Sequence, residues 1–167
     1  MGICTLIVNP SSGGEMASSY LELMETQLRK IFEEVTVKET GKQGDAMNFA
    51  YEAAKNGHEA VFCMGGDGTV NETINGLAAA GTDVSFGFVP LGTVNDLARA
   101  LGIPLDPGQA IEMFETAVLL DLDIGKVNDR YFVSNVAAGA IPEAVEEVSV
   151  EQKTKLGPLA YFIEGGK

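Results

Sequence analysis

A short apolar run at 60–64 passes straight into Gly65-Gly66-Asp67-Gly68-Thr69-Val70-Asn71-Glu72 and then into a segment with helical spacing over 69–80. A strand that turns through glycines into a helix is the repeating unit of parallel α/β sheets, so this stretch constrains the fold more than any other. It also constrains the chemistry. Gly65, Gly66 and Gly68 let the backbone approach a bound anion closely, and the N–H groups opening the helix point at it without acceptors of their own. Asp67 does not suit a bare phosphate cradle: its carboxylate repels the ligand unless a cation lies between them. Its presence points to Mg2+ and phosphoryl transfer.

Two further loops repeat the arrangement. Pro90-Leu91-Gly92-Thr93-Val94-Asn95-Asp96-Leu97-Ala98-Arg99 follows the apolar run 84–89, and Asn9-Pro10-Ser11-Ser12-Gly13-Gly14 follows the run 3–8. In open parallel sheets, ligands collect outside the carboxyl ends of the strands, so the three loops are expected on one crevice. The whole chain reads as strands at 3–8, 34–38, 60–64 and 84–89 between helices at 15–33, 45–56, 69–80, 94–101 and 107–116. The spacing of Leu21, Met24, Leu28, Ile31 and Phe32 assigns the first helix, and Asn56-Gly57 stops the second. The fold class is α/β, a doubly wound, mainly parallel sheet.

Taken in this order, Val8-Asn9-Pro10-Ser11-Ser12-Gly13, the Gly65–Glu72 segment and the Pro90–Arg99 segment resemble the catalytic domain of the diacylglycerol kinase family, closest to its soluble bacterial lipid kinases. The resemblance covers roughly residues 1 to 135. Gly-Gly-Asp-Gly by itself is shared with NAD kinases and, more loosely, phosphofructokinases, whose nucleotide-binding domains have a similar fold; the Asn-Asp-Leu-Ala-Arg segment is the more specific part. The resemblance implies an enzyme that moves the γ-phosphate of ATP to a lipid hydroxyl such as that of diacylglycerol. It places Asn9, Ser11 and Gly13 near the phosphates and Thr40 beside the nucleotide. Gly65, Gly66, Asp67, Gly68, Thr69, Val70, Asn71 and Glu72 form the cradle, with Gly92, Thr93 and Asn95 alongside. Asp67, Asp96 and Asp123 match three acidic positions of the family around a hydrated Mg2+.

Several of these residues have a second reading. Thr69 and Glu72 suit the first turn of a helix on dipole grounds alone. Asn95 and Asp96 suit the cap of the helix carrying Leu97 and Leu101. Arg99 pairs with an acid or contacts substrate. Asp121 would share a strand face with Asp123. His58, in the Asn56-Gly57 turn, reads as a solvated histidine rather than a general base. An NAD kinase remains a rival, although its separate Asn-Glu loop is not evident, Asn71-Glu72 being fused to the glycine motif. A noncatalytic nucleotide-binding module is the rival from another class.

After residue 117 the rhythm changes to a hairpin, 118–127 and 130–136, around Asn128-Asp129. Residues 1–120 are therefore read as the nucleotide-binding domain and 121–167 as the start of a β-rich second domain, with 154–162 resembling that domain's first helix. In the family the second domain supplies much of the lipid cleft and the general base, so the 167-residue chain is expected to be inactive alone. Val133, Val136, Tyr161, Phe162 and Ile163 would then lack a full core, which makes a homodimer one way of covering them.

A net charge of −13 excludes the basic footprint of a nucleic-acid binder and any simple attraction to an anionic bilayer. Contact with a membrane surface would be transient and apolar. No leader is apparent and no run approaches the ~20 apolar residues of a membrane span. Cys4 and Cys63 lie in strand runs as buried thiols, as in a reducing compartment, so a cytoplasmic protein, peripheral at the membrane when acting on lipid, is expected.

Overall fold

The central strands are apolar on both sides, and the reason is their position. In the computed structural model, which describes residues 2–14 and 16–133, the chain runs β1 (Ile3–Val8), α1 (Met16–Leu28), β2 (Glu34–Glu39), α2 (Asp45–Lys55), β3 (Ala60–Gly65), α3 (Asp67–Ala80), β4 (Ser85–Pro90), α4 (Asp96–Leu101), α5 (Pro107–Met113), β5 (Gly125–Val127) and β6 (Arg130–Phe132). The main sheet has the order β2-β1-β3-β4 with every pairing parallel. β1 and β3 lie inside it and are covered on both faces, which explains their unbroken apolar runs.

Alternation along the strands sorts the core into two layers. Cys4, Leu6, Val8, Phe62, Met64 and Val89 pack with α1 and α5 through Ala17, Met24, Leu28, Ala110 and Ile111. Ile7, Val61, Cys63 and Phe88 pack on the other face with α2, α3 and α4 through Ala46, Ala50, Val70, Ile74 and Leu97. Leu6, Met24, Leu28 and Met64 are fully buried, each contributing about 1.5–3 kcal/mol of hydrophobic stabilisation. The chain goes from β1 outward to β2, then crosses back past β1 to β3. The order of strands therefore reverses between β1 and β3, and the crevice at that point opens on their carboxyl ends.

Element boundaries depart from periodicity in informative places. α1 ends at Leu28 rather than 33, because Lys30 and Ile31 donate to the carbonyls three residues back and tighten the last turn. That turn leaves Ile31 exposed while bringing Phe32 edge-on to Phe62, with ring centroids 5.7 Å apart. α3 begins at Asp67, two residues earlier than the spacing predicts, so Asp67 and Gly68 belong to its first turn. α5 starts where local chemistry says it should: Asp106 accepts the N–H of Gln109 at 2.9 Å and Pro107 occupies the first turn.

The expected hairpin forms around Asn128, but only over Gly125–Val127 and Arg130–Phe132. Residues 117–124 carry no regular structure, so Asp121 and Asp123 do not share a strand face as the alternation suggested. Val118, Leu119 and Leu120 there are 77%, 81% and 73% exposed, because β propensity forms a strand only where a partner edge is present. The contact unit spans Met1–Val133 and includes this hairpin. The expectations for 134–167, including Val136, the 154–162 segment, Tyr161, Phe162 and Ile163, lie outside the described residues.

Candidate active site

Backbone bonds between neighbouring strand ends align the three loops. The Asn9 N–H donates to the Met64 carbonyl at 3.0 Å, Leu91 to Gly65 at 2.8 Å and Thr40 to Val8 at 2.9 Å. Parallel register thus continues one step beyond the strands, and the loops after β1, β3 and β4, with Thr40 after β2, start side by side.

Asp67 ties two of these loops together. Its Oδ2 accepts the N–H of Asn95 and its Oδ1 the N–H of Asp96, both at 2.8 Å. The carboxylate therefore caps α4 from another loop, satisfying backbone donors that the helix cannot satisfy itself. Asn95 occupies the N-cap position but makes no capping bond with its side chain. Instead it sits at φ 56° and folds its carboxamide back onto Gly92, accepting the Gly92 N–H at 2.8 Å and donating to the Gly92 carbonyl at 2.9 Å. The second reading of Asn95, as the side-chain cap of α4, is corrected: the cap comes from a residue distant in sequence.

Gly66 and Gly92 meet where the two loops cross. A Cβ on Gly66 would stand 3.0 Å from the Gly92 Cα, and one on Gly92 would stand 2.7 Å from the Gly66 Cα. Glycine at both places is needed for loop-to-loop contact before any ligand is considered. Gly68 differs, because nothing lies within 4 Å of a Cβ added there. The first turn of α3 is therefore open at Gly68, and its leading N–H groups have no acceptor within the helix.

Asn9 latches the first loop to this turn. Its Nδ2 donates to Thr69 Oγ1 at 3.1 Å, while its Oδ1 accepts from Ser11 N–H at 3.2 Å and Ser11 Oγ–H at 2.8 Å. Thr69 is buried under this contact and Val70 lies in the core, whereas Ser11, Gly13, Gly68 and Thr93 face solvent around the crevice. Glu72 accepts the N–H of Gly44, at the end of the loop after β2, at 3.0 Å. Asn71 faces along α3 and accepts from Asn75 Nδ2 through its carbonyl and its side chain.

Asn75 escaped the sequence reading. It recurs at the helical spacing of Asp67 and Asn71, which could have placed it on their face, but its partner is Tyr131, 56 residues on, and no local pattern announces that. Arg99 Nε donates to the Val94 carbonyl at 2.8 Å, bracing the loop before α4. His58, half-buried directly after the Asn56-Gly57 turn, has its Nδ1 2.8 Å from Thr5 Oγ1.

The acidic residues are not gathered into a ligand cage. Asp67 and Asp96 are adjacent through the α4 cap, while Asp123 is exposed in the segment before β5. Among the described residues no group of three or more His, Cys, Asp or Glu is placed to hold a metal ion directly. Each Asp67 oxygen, having accepted one N–H, keeps a second acceptor site, which suits a hydrated cation better than an inner-sphere one. The cysteines stay apart from this chemistry. Burial pushes the Cys63 thiol up to about 12 against a bond to Thr73, and the Cys4 thiol up to about 11 against the charge of Arg29.

The sequence profile of the diacylglycerol kinase catalytic domain matches residues 4–127. The chain is 38% identical over 161 residues to a diacylglycerol kinase of Bacillus subtilis, covering 96% of this chain and 53% of that protein. It is 38% identical over 160 residues to a diacylglycerol kinase of Staphylococcus carnosus, covering 96% and 52% respectively. A solved diacylglycerol kinase structure from Bacillus anthracis superposes with a TM-score of 0.72 at 31% identity, covering 78% of this chain and 49% of that one. The chain thus spans about half the length of the curated relatives it matches. No helix among the described residues is long and apolar enough to cross a membrane.

Proposed function

The chain belongs to the diacylglycerol kinase catalytic domain family, and from that premise we propose that it binds ATP at the carboxyl ends of β1, β3 and β4 and directs its γ-phosphate to the hydroxyl of a lipid alcohol. The observation that carries this reading is the open first turn of α3 at Gly68, bordered by Asp67 and by the Gly66–Gly92 crossing. Free helix N–H groups receive phosphate oxygens there, and Ser11, Gly13 and Thr93 stand at the rim. Thr40, one residue beyond β2, lies where the nucleoside would extend. Asn9, Thr69, Glu72 and Asn95 act by holding the loops in place.

Transfer forms a bond between the acceptor oxygen and Pγ and breaks the bond from Pγ to the bridging oxygen of ADP; the hydroxyl proton leaves to a base. The chain's part is alignment and charge neutralisation. Asp67, through the acceptor sites it retains, would hold a hydrated Mg2+ together with Asp96 and Asp123. When bound, the ion offsets the repulsion between Asp67 and the phosphates.

Residues 1–120 form the nucleotide-binding part. The 167-residue chain alone is expected to hold nucleotide without lipid turnover, since it spans about half of the kinases it matches. Its encounter with the bilayer is brief and apolar, as a cytoplasmic, membrane-peripheral protein of net charge −13. Pairing of two chains is another way to cover Val118, Leu119 and Leu120. A second reading, resting on the same open turn of α3, is a nucleotide-binding module without catalysis.

Calorimetry with ATP, with and without Mg2+, tests the site; no binding would sink both readings. Transfer of labelled γ-phosphate to a panel of lipid alcohols in mixed micelles tests the reaction. It would compare this chain with a fusion carrying the C-terminal half of the Bacillus subtilis relative. A fusion that binds ATP and phosphorylates none of the lipids would leave the module reading.

A further inference from the structure

The β5–β6 hairpin ends the described chain, and the Asn75 side chain fastens it to α3. Asn75 Nδ2 donates to the Tyr131 carbonyl at 2.8 Å, and Asn75 Oδ1 accepts the Tyr131 N–H at 2.8 Å. The hairpin register explains why these backbone groups are available. Val127 pairs with Arg130 across the two-residue turn, and Lys126 pairs with Tyr131. In an antiparallel ladder, bonded and non-bonded pairs alternate, so Tyr131 turns its N–H and C=O outward, away from β5. The Asn75 carboxamide meets them as a further strand would, one donor and one acceptor in the same plane.

Its remaining N–H is also committed. Asn75 Nδ2 reaches the Asn71 carbonyl at 2.9 Å and Asn71 Oδ1 at 3.3 Å. Asp67, Asn71 and Asn75 recur four residues apart on α3, so the contact with Tyr131 lies two turns from the proposed phosphate cradle on the same helical face. The loops of the cradle hold one another through Asn9–Thr69, Asp67–Asn95 and Asn95–Gly92, none of which involves Asn75. The hairpin, by contrast, begins two residues after Asp123, the acidic residue that the α3 and α4 loops do not themselves position.

We propose that Asn75 is a positioning residue for phosphoryl transfer: it pins the β5–β6 hairpin, and with it Asp123, to the helix that cradles the phosphates, without taking part in ATP binding. This rests on the kinase reading above. Because the carboxamide must both donate and accept, the isosteric Asn75→Asp is the informative change. It keeps the acceptor but sets a carboxylate against the carbonyls of Tyr131 and Asn71. Asn75→Ala removes both bonds while suiting a helix, so the fold survives it.

The test has three readouts. Hydrogen exchange at the Tyr131 N–H in the 167-residue chain should speed up at least about tenfold in both variants at neutral pH. Measured against the intrinsic exchange rate at each pH, protection in Asn75→Asp should return as pH falls through the carboxyl range, because a protonated carboxyl regains a donor; Asn75→Ala should show no such recovery. ATP affinity by calorimetry should stay within about twofold of wild type, whereas kcat for lipid transfer in the fusion should fall about tenfold or more with KM for ATP unchanged.

Tyr131 protection unaltered in both variants overturns the pinning. A released hairpin with unchanged kcat, or ATP affinity falling in step with kcat, overturns the positioning role. A chain that fails to bind ATP, or a fusion with wild-type Asn75 that fails to turn over, sinks the kinase reading and the kinetic half of this inference, while exchange at Tyr131 still decides the pinning.

Discussion

Asp67 and Asp96 are joined by a 2.8 Å bond from the Asp96 N–H to Asp67 Oδ1, so the acid at the start of α3 also fixes the start of α4. A residue expected to serve a cation is thus part of the scaffold that shapes the crevice. Two acidic residues are brought next to each other there through a backbone contact.

Asp67→Ala should therefore cost stability as well as activity. It removes two charge-assisted bonds to backbone donors, which predicts a loss of about 2–3 kcal/mol in urea unfolding. Asp67→Asn keeps one acceptor and turns an NH2 toward the other N–H, with an expected loss of about 1–2 kcal/mol. In protein that remains folded, its turnover should fall more than its ATP affinity. Unfolding midpoints equal to wild type for both variants would contradict the capping role.

Gly68→Val is the sharper test of the cradle than any change at Gly66. A side chain at Gly66 would press on the Gly92 backbone and shift the loops, confounding binding with folding. At Gly68 there is room, and valine is the better helix former by roughly 0.3–0.5 kcal/mol. Thermal stability should be kept or slightly raised while ATP binding by calorimetry is abolished. Wild-type affinity in this variant would place the phosphates elsewhere.

Gly76→Ala is predicted to destabilise although alanine is favoured in helices. A Cβ at Gly76 would overlap the Met47 carbonyl oxygen and stand 2.9 Å from the Ala50 Cβ, where α3 packs on α2. Overpacking of about 1–3 kcal/mol outweighs the gain in helix propensity of about 1 kcal/mol. The expected net loss is about 1–2 kcal/mol, read from denaturant midpoints. A stabilised variant would show that the two helices move apart freely.

Alkaline pH should weaken the fold through Cys63 and Cys4. An unfolded thiol ionises near about 8.5, while the native thiols keep their protons to about 12 and about 11. Between these limits the unfolded chain binds fewer protons, so stability, complete below the unfolded value, falls by about 1.4 kcal/mol per pH unit for each thiol. Cys63→Ala should have a shallower decline in urea midpoint between pH 8.5 and 10. An identical slope would show that burial does not govern this thiol.

Much of the scaffold was legible locally. Strands β1 to β4 and the helices between them follow from apolar runs punctuated by Gly, Pro and Asn, since periodicity and turn chemistry act over a few residues. The three loops could be assigned to one crevice because parallel topology places every strand's carboxyl end on the same side. Asp106 and Pro107 announce the start of α5 by themselves.

What the tertiary structure decided are contacts between residues far apart in sequence. Asn95 looks like a cap and is a loop brace, because Asp67 reaches the α4 donors first. Gly66 and Gly92 are required by each other, and Asn75 meets a strand edge that exists only once the hairpin has folded. The 118–124 run has the composition of a strand, yet pairing is a property of two segments and composition a property of one. The sequence by itself therefore determined the sheet, its helices and the row of polar loops. Which side chains hold those loops, and which are left open to a ligand, was settled by the directional hydrogen bonds and close backbone approaches that the assembled sheet makes possible.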